Sequence, residues 1–261
     1  MRILAVGDIV GEPGRKALKK LLPDLLREFD IRLVIGNGEN CAGGLGITLA
    51  TAKELFDSGI DVITTGNHVW AKKEIIPYLD GNLALLRPLN YPPTNPGRGY
   101  LSREGVLVVN LIGRTFMGNF DCPFRVMDDL LARLKNNPKT IVVDFHAEAT
   151  SEKVAMGRYL DGRVSAVLGT HTHVGTIDAH ILPGGTAYVT DIGMVGPIDS
   201  VIGDNADSVI KRFLTQMPFR LSVGKGMAIF DAILVEVNEE TGKAVDIKRI
   251  RRTVDKGASN T

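Results

Sequence analysis

Apolar runs of strand length alternate with segments of helical period through the early part of this chain, and that alternation restricts it to α/β architectures. Ile3–Val6 reads as a strand. Pro13 then sits where a first helical turn tolerates it, and Leu18, Leu21, Leu22, Leu25, Leu26 and Phe29 follow at helical spacing, so this helix buries one stripe. Leu33–Ile35 reads as the next strand, Thr48–Ser58 as the next helix with Gly59 as its stop, and Ile60–Thr64 as the third strand. An apolar segment Leu83–Leu86, a Pro-rich surface loop from Pro88 to Gly99 and the β-branched run Val106–Ile112 come next. Asp121 is expected to cap a helix starting near Pro123, and a helix near Ser151–Leu160 separates the strands Ile141–Phe145 and Val164–Leu168. Ala187–Val189, a helix near Asp207–Gln216, and the long strands Ala228–Val237 and Val245–Arg251, joined by a turn at Glu239–Gly242, follow.

Early βαβ units and late antiparallel strands must share a core, which predicts a four-layer αββα sandwich of two mixed sheets packed face to face between helices. With no composition shift to mark a boundary, residues 1–261 are expected to form one domain, with a polar tail fraying from Asp255. The 31 basic and 30 acidic residues leave a formal charge of +1, so neither long nucleic acid nor an anionic membrane surface is an expected partner. The opening MRILAVGDIV reads as a strand and not as a secretory signal. Nothing approaches the roughly 18 consecutive apolar residues of a membrane helix, which predicts a soluble protein. Cys41 and Cys122 are the only cysteines and make no disulfide framework. They are expected to be buried, inert thiols in a cytoplasmic protein.

The chemistry concentrates where the strand-like runs end. Val6-Gly7-Asp8, Ile35-Gly36-Asn37-Gly38-Glu39-Asn40, Thr65-Gly66-Asn67-His68, Asp144-Phe145-His146 and Leu168-Gly169-Thr170-His171-Thr172-His173 each deliver polar residues able to bind a metal. In parallel α/β architectures ligands gather outside the carboxyl ends of the strands, so these distant segments would converge on one crevice. Of the 5 histidines only His180 lies outside them, and it reads as an ordinary surface or core residue. Carboxylates, carboxamides and imidazoles without thiolate suit Fe, Mn or Zn and not an iron–sulfur cluster. So many ligands exceed one ion's needs, and a two-metal site with ions about 3.5–4 Å apart and a bridging carboxylate follows.

The order Gly-Asp, an acidic residue after the second strand, Gly-Asn-His after the third, a single His and a final His-x-His resembles the calcineurin-like metallophosphoesterases. Asp8-x-Val10 in place of Asp-x-His, Gly38-Glu39-Asn40 in place of Gly-Asp, Phe145-His-Ala-Glu-Ala-Thr-Ser-Glu-Lys153 and Gly169-Thr-His-Thr-His173 look like its YmdB-like branch. Cys41-Ala-Gly-Gly-Leu-Gly and Asp191-Ile-Gly-Met-Val-Gly-Pro extend the likeness over nearly the whole chain. The resemblance implies a dinuclear, usually iron-loaded phosphodiesterase active on cyclic nucleotides. Carried over residue by residue, it implies one metal on Asp8, Glu39, Asn40 and His173, and a second on Glu39, Asn67, His146 and His171, with Glu39 bridging. His68 resembles the family's catalytic histidine, a proton donor that coordinates nothing.

Alternatives stand beside these roles. Asp8 could cap the helix ahead of Pro13, His68 could merely orient Asn67, and Asn40 could be a turn residue unless the chain has left the strand by Glu39. Gly43 and Gly44 precede a helix and could bind substrate phosphate or simply make a turn. Glu148 and Thr150 read as a helix start that the resemblance places beside the metals. The leading function is hydrolysis of a small phosphodiester, a 2',3'-cyclic or 3',5'-cyclic nucleotide, by a hydroxide bridging the metals, with His68 protonating the departing oxygen. A phosphomonoesterase and a metal-containing sensor of nucleotide or RNA are the competing readings, and a homo-oligomer stays open. Lys248, Arg249, Arg251 and Arg252 are expected to form a solvated face.

Overall fold

In a computed structural model of the chain, which describes residues 1–134 and 138–254, the elements run in order as follows. They are β1 (Arg2–Val6), β2 (Asp8–Ile9), α1 (Gly11–Phe29), β3 (Leu33–Asn37), α2 (Leu49–Asp57), β4 (Val62–Thr64), α3 (Ile76–Leu79), β5 (Tyr100–Arg103), β6 (Val106–Ile112) and α4 (Pro123–Arg133). Then come β7 (Thr140–His146), α5 (Thr150–Leu160), β8 (Ala166–Thr170), β9 (His180–Ile181), β10 (Ala187–Val189), β11 (Met194–Pro197), α6 (Ala206–Thr215), β12 (Ala228–Val237) and β13 (Ala244–Val254). The tail expected to fray from Asp255 lies outside the described residues.

Two mixed sheets carry these strands. The first runs β2-β11-β12-β1-β3-β4, with β13 also paired to β12, and the second runs β5-β6-β7-β8-β10-β9. Parallel pairing joins β1, β3 and β4 in the first and β6, β7, β8 and β10 in the second. Because successive side chains alternate across a strand, one face of each sheet meets helices and the other meets the opposite sheet. Ile3, Ala5, Leu33 and Ile35 pack between the sheets against Val106, Val108, Val142 and Leu168. Their neighbours Leu4, Val6 and Val34 pack outward on Leu18, Leu22 and Leu25 of α1 and Ala52 and Leu55 of α2. On the far side Leu107, Val109, Val143 and Phe145 pack on Met127 and Leu130 of α4 and Met156 and Leu160 of α5. The expected four-layer αββα sandwich is the observed one.

Several local expectations need correction. Asp121 does not cap α4: with Pro123 as the first helical residue the cap position falls one residue later, at Cys122, which makes no side-chain hydrogen bond. Leu83–Leu86 makes only isolated bridges, Ile63 with Leu85 and Leu86 with Arg98. Cys41 is buried but Cys122 is only partly so, and both thiols are free. The basic run on β13 is not simply solvated. Arg251 donates to Asp231 through Nε and Nη2 at 2.7 and 2.8 Å, and Arg252 reaches Glu28 at 3.2 Å. No helix among the described residues is long and apolar enough to cross a membrane.

Candidate metal centre

Every sequence-predicted ligand lies at or just beyond the carboxyl end of a parallel strand, with contributions from both sheets. Asp8 follows β1, Glu39 and Asn40 follow β3, Asn67 and His68 follow β4, His146 ends β7, and His171 and His173 follow β8. β3 has ended at Asn37 and the chain is already turning at Glu39 and Asn40, so both side chains reach the same side. Asp8 is not a helix cap: that position of α1 belongs to Val10.

The donor atoms crowd together. His146 Nε2 lies 3.1 Å from Glu39 Oε1, 3.2 Å from Asn67 Oδ1 and 3.0 Å from His171 Nδ1. Glu39, His146 and His171 have ligand atoms within 4.8 Å of one another, enough to hold one ion. Beside them, Asp8 Oδ1 lies 3.6 Å from His173 Nε2, and Asn40 Nδ2 lies 3.1 Å from the same nitrogen. Asn40 Oδ1 accepts from His68 Nδ1 at 2.9 Å, which uses one of its lone pairs and leaves the other. The His68 ring thus addresses Asn40 and Glu39, at 2.9 and 3.4 Å, and does not orient Asn67. Its main-chain N–H donates to Glu39 Oε2 at 3.0 Å.

Each of the three clustered histidines has one ring nitrogen tied to an acceptor. His146 Nδ1 donates to Thr170 Oγ1 at 2.9 Å, and that hydroxyl donates to Asp144 Oδ1 at 2.6 Å. His171 Nε2 meets Glu148 Oε2 at 3.1 Å, and His173 Nδ1 donates to the Ile202 carbonyl at 2.6 Å. The opposite nitrogen of each ring is thereby turned toward the cluster, where a metal ion can take the place of its proton. Asp8 Oδ1 is fully buried with no hydrogen-bond partner, an arrangement that costs free energy unless a cation meets it. Gly66 lets the chain pass close by, since a Cβ there would stand 2.2 Å from His146 Nε2 and 2.5 Å from Glu39 Oε2. The donor set therefore fits metal ions.

Electrostatics of the metal-free arrangement point the same way. Burial opposes ionisation of Asp8, yet His173, His146 and the His171 N–H hold its carboxyl far below the usual range. Burial likewise opposes Glu39, and the charge and hydrogen bond of His146 keep it ionised. Burial and the neighbouring His146 charge press His171 down to about 3, whereas Asp8 overcomes burial to lift His173 to about 9.

The residues expected at the substrate divide. A cleft of about 350 Å³ is lined by His68, His171 and His173 together with Gly44, Glu148 and Asp204, while Gly43 and Thr150 are not on its wall. The Gly44 N–H is engaged with the Asn40 carbonyl at 3.1 Å, so this stretch makes a turn there. The start of α2 is closed by Thr48 and Thr51 capping one another. Thr150 opens α5 on the surface, its cap position held by Ala149. Glu148 orients His171 and brings negative charge to the cleft, a poor partner for phosphate. His180 is exposed on the edge strand β9, as expected.

Sequence reasoning missed the residues behind the ligands. Asp144, wholly between the sheets, accepts from Thr170 and Thr64 and, at 3.2 Å, from Asn37 Nδ2; burial pushes its carboxyl up to about 6. Buried Lys153 donates to Asp191 Oδ2 at 2.7 Å, and the same oxygen accepts from Thr172 N at 3.1 Å and Thr172 Oγ1 at 2.8 Å. Asp191 thus pins Thr172 between His171 and His173, whose φ angles of 100° and 64° lie in the left-handed region. The signal available was the polar residue set inside an apolar strand, Asp144, and the Asp191 motif.

The chain is similar to known proteins over nearly its whole length. A Bacillus subtilis (strain 168) protein named 2',3'-cyclic-nucleotide 2'-phosphodiesterase is 47% identical over 254 residues, 96% of each chain. The crystal structure of a protein from Thermus thermophilus superposes with a TM-score of 0.90 at 44% identity, covering 97% of this chain and 99% of that one. A structure described as a novel phosphatase from Mycoplasma pneumoniae gives 0.91 at 34% identity, over 98% and 94%. Residues 4–250 match the model of the YmdB-like protein family, and the chain belongs to that family.

Proposed function

We propose that this chain is a metal-dependent phosphoric diester hydrolase acting on small cyclic nucleotides, with 2',3'-cyclic phosphates foremost. The observation that carries the reading is His68, a histidine that stands over the cluster of donor atoms without belonging to it. The activity named for the Bacillus subtilis relative supports the same reaction class. Asp8, Glu39, Asn40 and His173 would hold one ion and Glu39, Asn67, His146 and His171 a second. Iron, manganese or zinc bound there supplies positive charge to the phosphoryl oxygens and acidifies the attacking water.

The chain's own residues do the rest. With Nδ1–H held by Asn40 Oδ1, the His68 ring keeps Nε2 as its free nitrogen on the wall of the cleft. From Nε2 it hands a proton to the departing ribose oxygen, a poor leaving group without one. The cleft is lined by Glu148 and Asp204 and, among the described residues, by no Lys or Arg. A monoanionic diester meets less repulsion there than a dianionic monoester, which favours the diesterase over a phosphomonoesterase. The free thiols fit a reducing compartment, the cytoplasm.

The test is a comparison of kcat/KM for 2',3'-cyclic AMP and for 3'-AMP on manganese-loaded protein. Faster turnover of the diester is expected. Faster turnover of the monoester would make the chain a phosphomonoesterase, and tight binding of nucleotide without turnover would make it a sensor.

A further inference from the structure

A second cavity, of about 500 Å³, opens beside the metal cleft, and Ile202 and Asp204 line both. Its other walls are mainly apolar: Val209 and Phe213 from α6, and Leu221 from the segment that returns beneath it. Val209, Arg212 and Phe213 fall at spacings of three and four residues, so they share one helix face. Asn205 caps the helix by accepting from Ser208 N at 3.0 Å.

This wall is tied to the metal cluster. The Ile202 carbonyl receives the His173 Nδ1 hydrogen bond, so the residue that separates the two cavities also orients a candidate ligand. Paired main-chain hydrogen bonds between Val201 and Asp204 close the turn, and Asn205 N to Ser222 O and Gly224 N to Gly203 O fasten the returning segment to it. That segment sits directly on the site loops, since a Cβ at either Gly11 or Gly44 would stand 2.8 Å from a Val223 methyl.

We propose that the apolar cavity is the nucleobase subsite of the same active site: a cyclic nucleotide whose phosphate lies at the metal cluster places its base against Phe213. The proposal rests on the diesterase reading and names the part of the substrate that reading leaves open. A planar aromatic ring is what an exposed phenylalanine over an apolar floor accepts best, because every base offers a π-face for stacking. Arg212 and Gln216 line the same cavity. Arg212 shares that wall with Asp204 and brings guanidinium donors that can meet the acceptor edge of a base. Asp204, between the cavities, suits the ribose, which offers it a hydroxyl donor and no charge.

The experiment compares 2',3'-cyclic AMP with methyl riboside 2',3'-cyclic phosphate, the same strained diester without a base, on manganese-loaded wild type, Phe213→Ala and Arg212→Ala. Wild type should prefer the nucleotide, through KM. Phe213→Ala should raise KM for the nucleotide about tenfold, so that the preference collapses. Arg212→Ala should lower it by a smaller factor. A wild type that treats both esters alike, or a Phe213→Ala enzyme that keeps the preference, would overturn the subsite while leaving the diesterase reading intact. A wild type inactive on both esters would overturn the diesterase reading and the subsite with it. Size-exclusion chromatography of the same samples adds a last arm. If Phe213→Ala dissociates an oligomer and both esters lose rate alike, the face serves a second copy of the chain and the proposal falls.

Discussion

His171 Nδ1 lies 3.0 Å from His146 Nε2, although the other nitrogen of each ring is already committed, to Glu148 and to Thr170 respectively. One cation, the His146 proton or a metal ion in its place, therefore stands between these two nitrogens. Removing one of the outer partners should weaken metal binding without touching a ligand. Glu148→Leu is expected to lower affinity for the ion about 10–100-fold, with turnover recovered at excess metal. Competition against a chelator reads this directly, and unchanged affinity would mean that Glu148 does not set the His171 tautomer.

His68 coordinates nothing in the proposed scheme, so His68→Ala should keep the fold and, with metal in excess, its metal content. It should cost roughly 10²–10⁴-fold in rate on cyclic nucleotides, whose departing oxygen needs a proton. Nitrophenyl diesters should suffer much less, because nitrophenolate leaves unprotonated. Equal losses on both kinds of ester, or loss of metal, would reassign His68 to a structural role.

Lys153 and Asp191 form a buried pair, each side chain only 1% exposed. Lys153→Met strands the Asp191 carboxylate beneath the His171–His173 loop and should destabilise the fold by about 3–5 kcal/mol. Urea unfolding measures this. A loss below about 1 kcal/mol would show that the pair behaves like an exposed one.

The two thiols should behave differently. Burial pushes Cys41 up from 9.0 to about 11, so the folded protein holds that thiol protonated. The raised value is a stabilising contribution present below pH 9.0 and lost as pH climbs toward about 11. Cys122 is only partly buried. At neutral pH a thiol reagent should label Cys122 in the native protein and both residues in denaturant, as mass spectrometry would show. Labelling of native Cys41 would contradict its burial.

Much of this molecule was legible because its chemistry is local in sequence. β12 and β10 have the predicted bounds, and α1 buries Leu18, Leu22 and Leu25 of the predicted stripe. Strand-end glycines followed by Asp8, Glu39, Asn67 and the histidines identified the cluster. What stayed hidden depends on distant partners. Asp144 meets Asn37 across 107 residues, and nothing in either neighbourhood shows it. Lys153 sits in a helix whose sequence reads as surface, and only Asp191, 38 residues on, accounts for its burial. Strands as short as β2 and β9, 2 residues each, carry no period to detect. Asp121 failed as a cap because a turn-forming residue beside a proline helix start has more than one use.

In the proposed scheme turnover of a phosphodiester requires two ions sharing Glu39. Metal-stripped protein titrated with Mn(II), with bound metal and hydrolysis of 2',3'-cyclic AMP measured on the same samples, tests it most directly. Activity should be absent without metal, emerge with the second equivalent and saturate there, and Glu39→Gln should retain neither ion nor activity. Full turnover at one equivalent or none, or two tightly bound ions in Glu39→Gln, would contradict it.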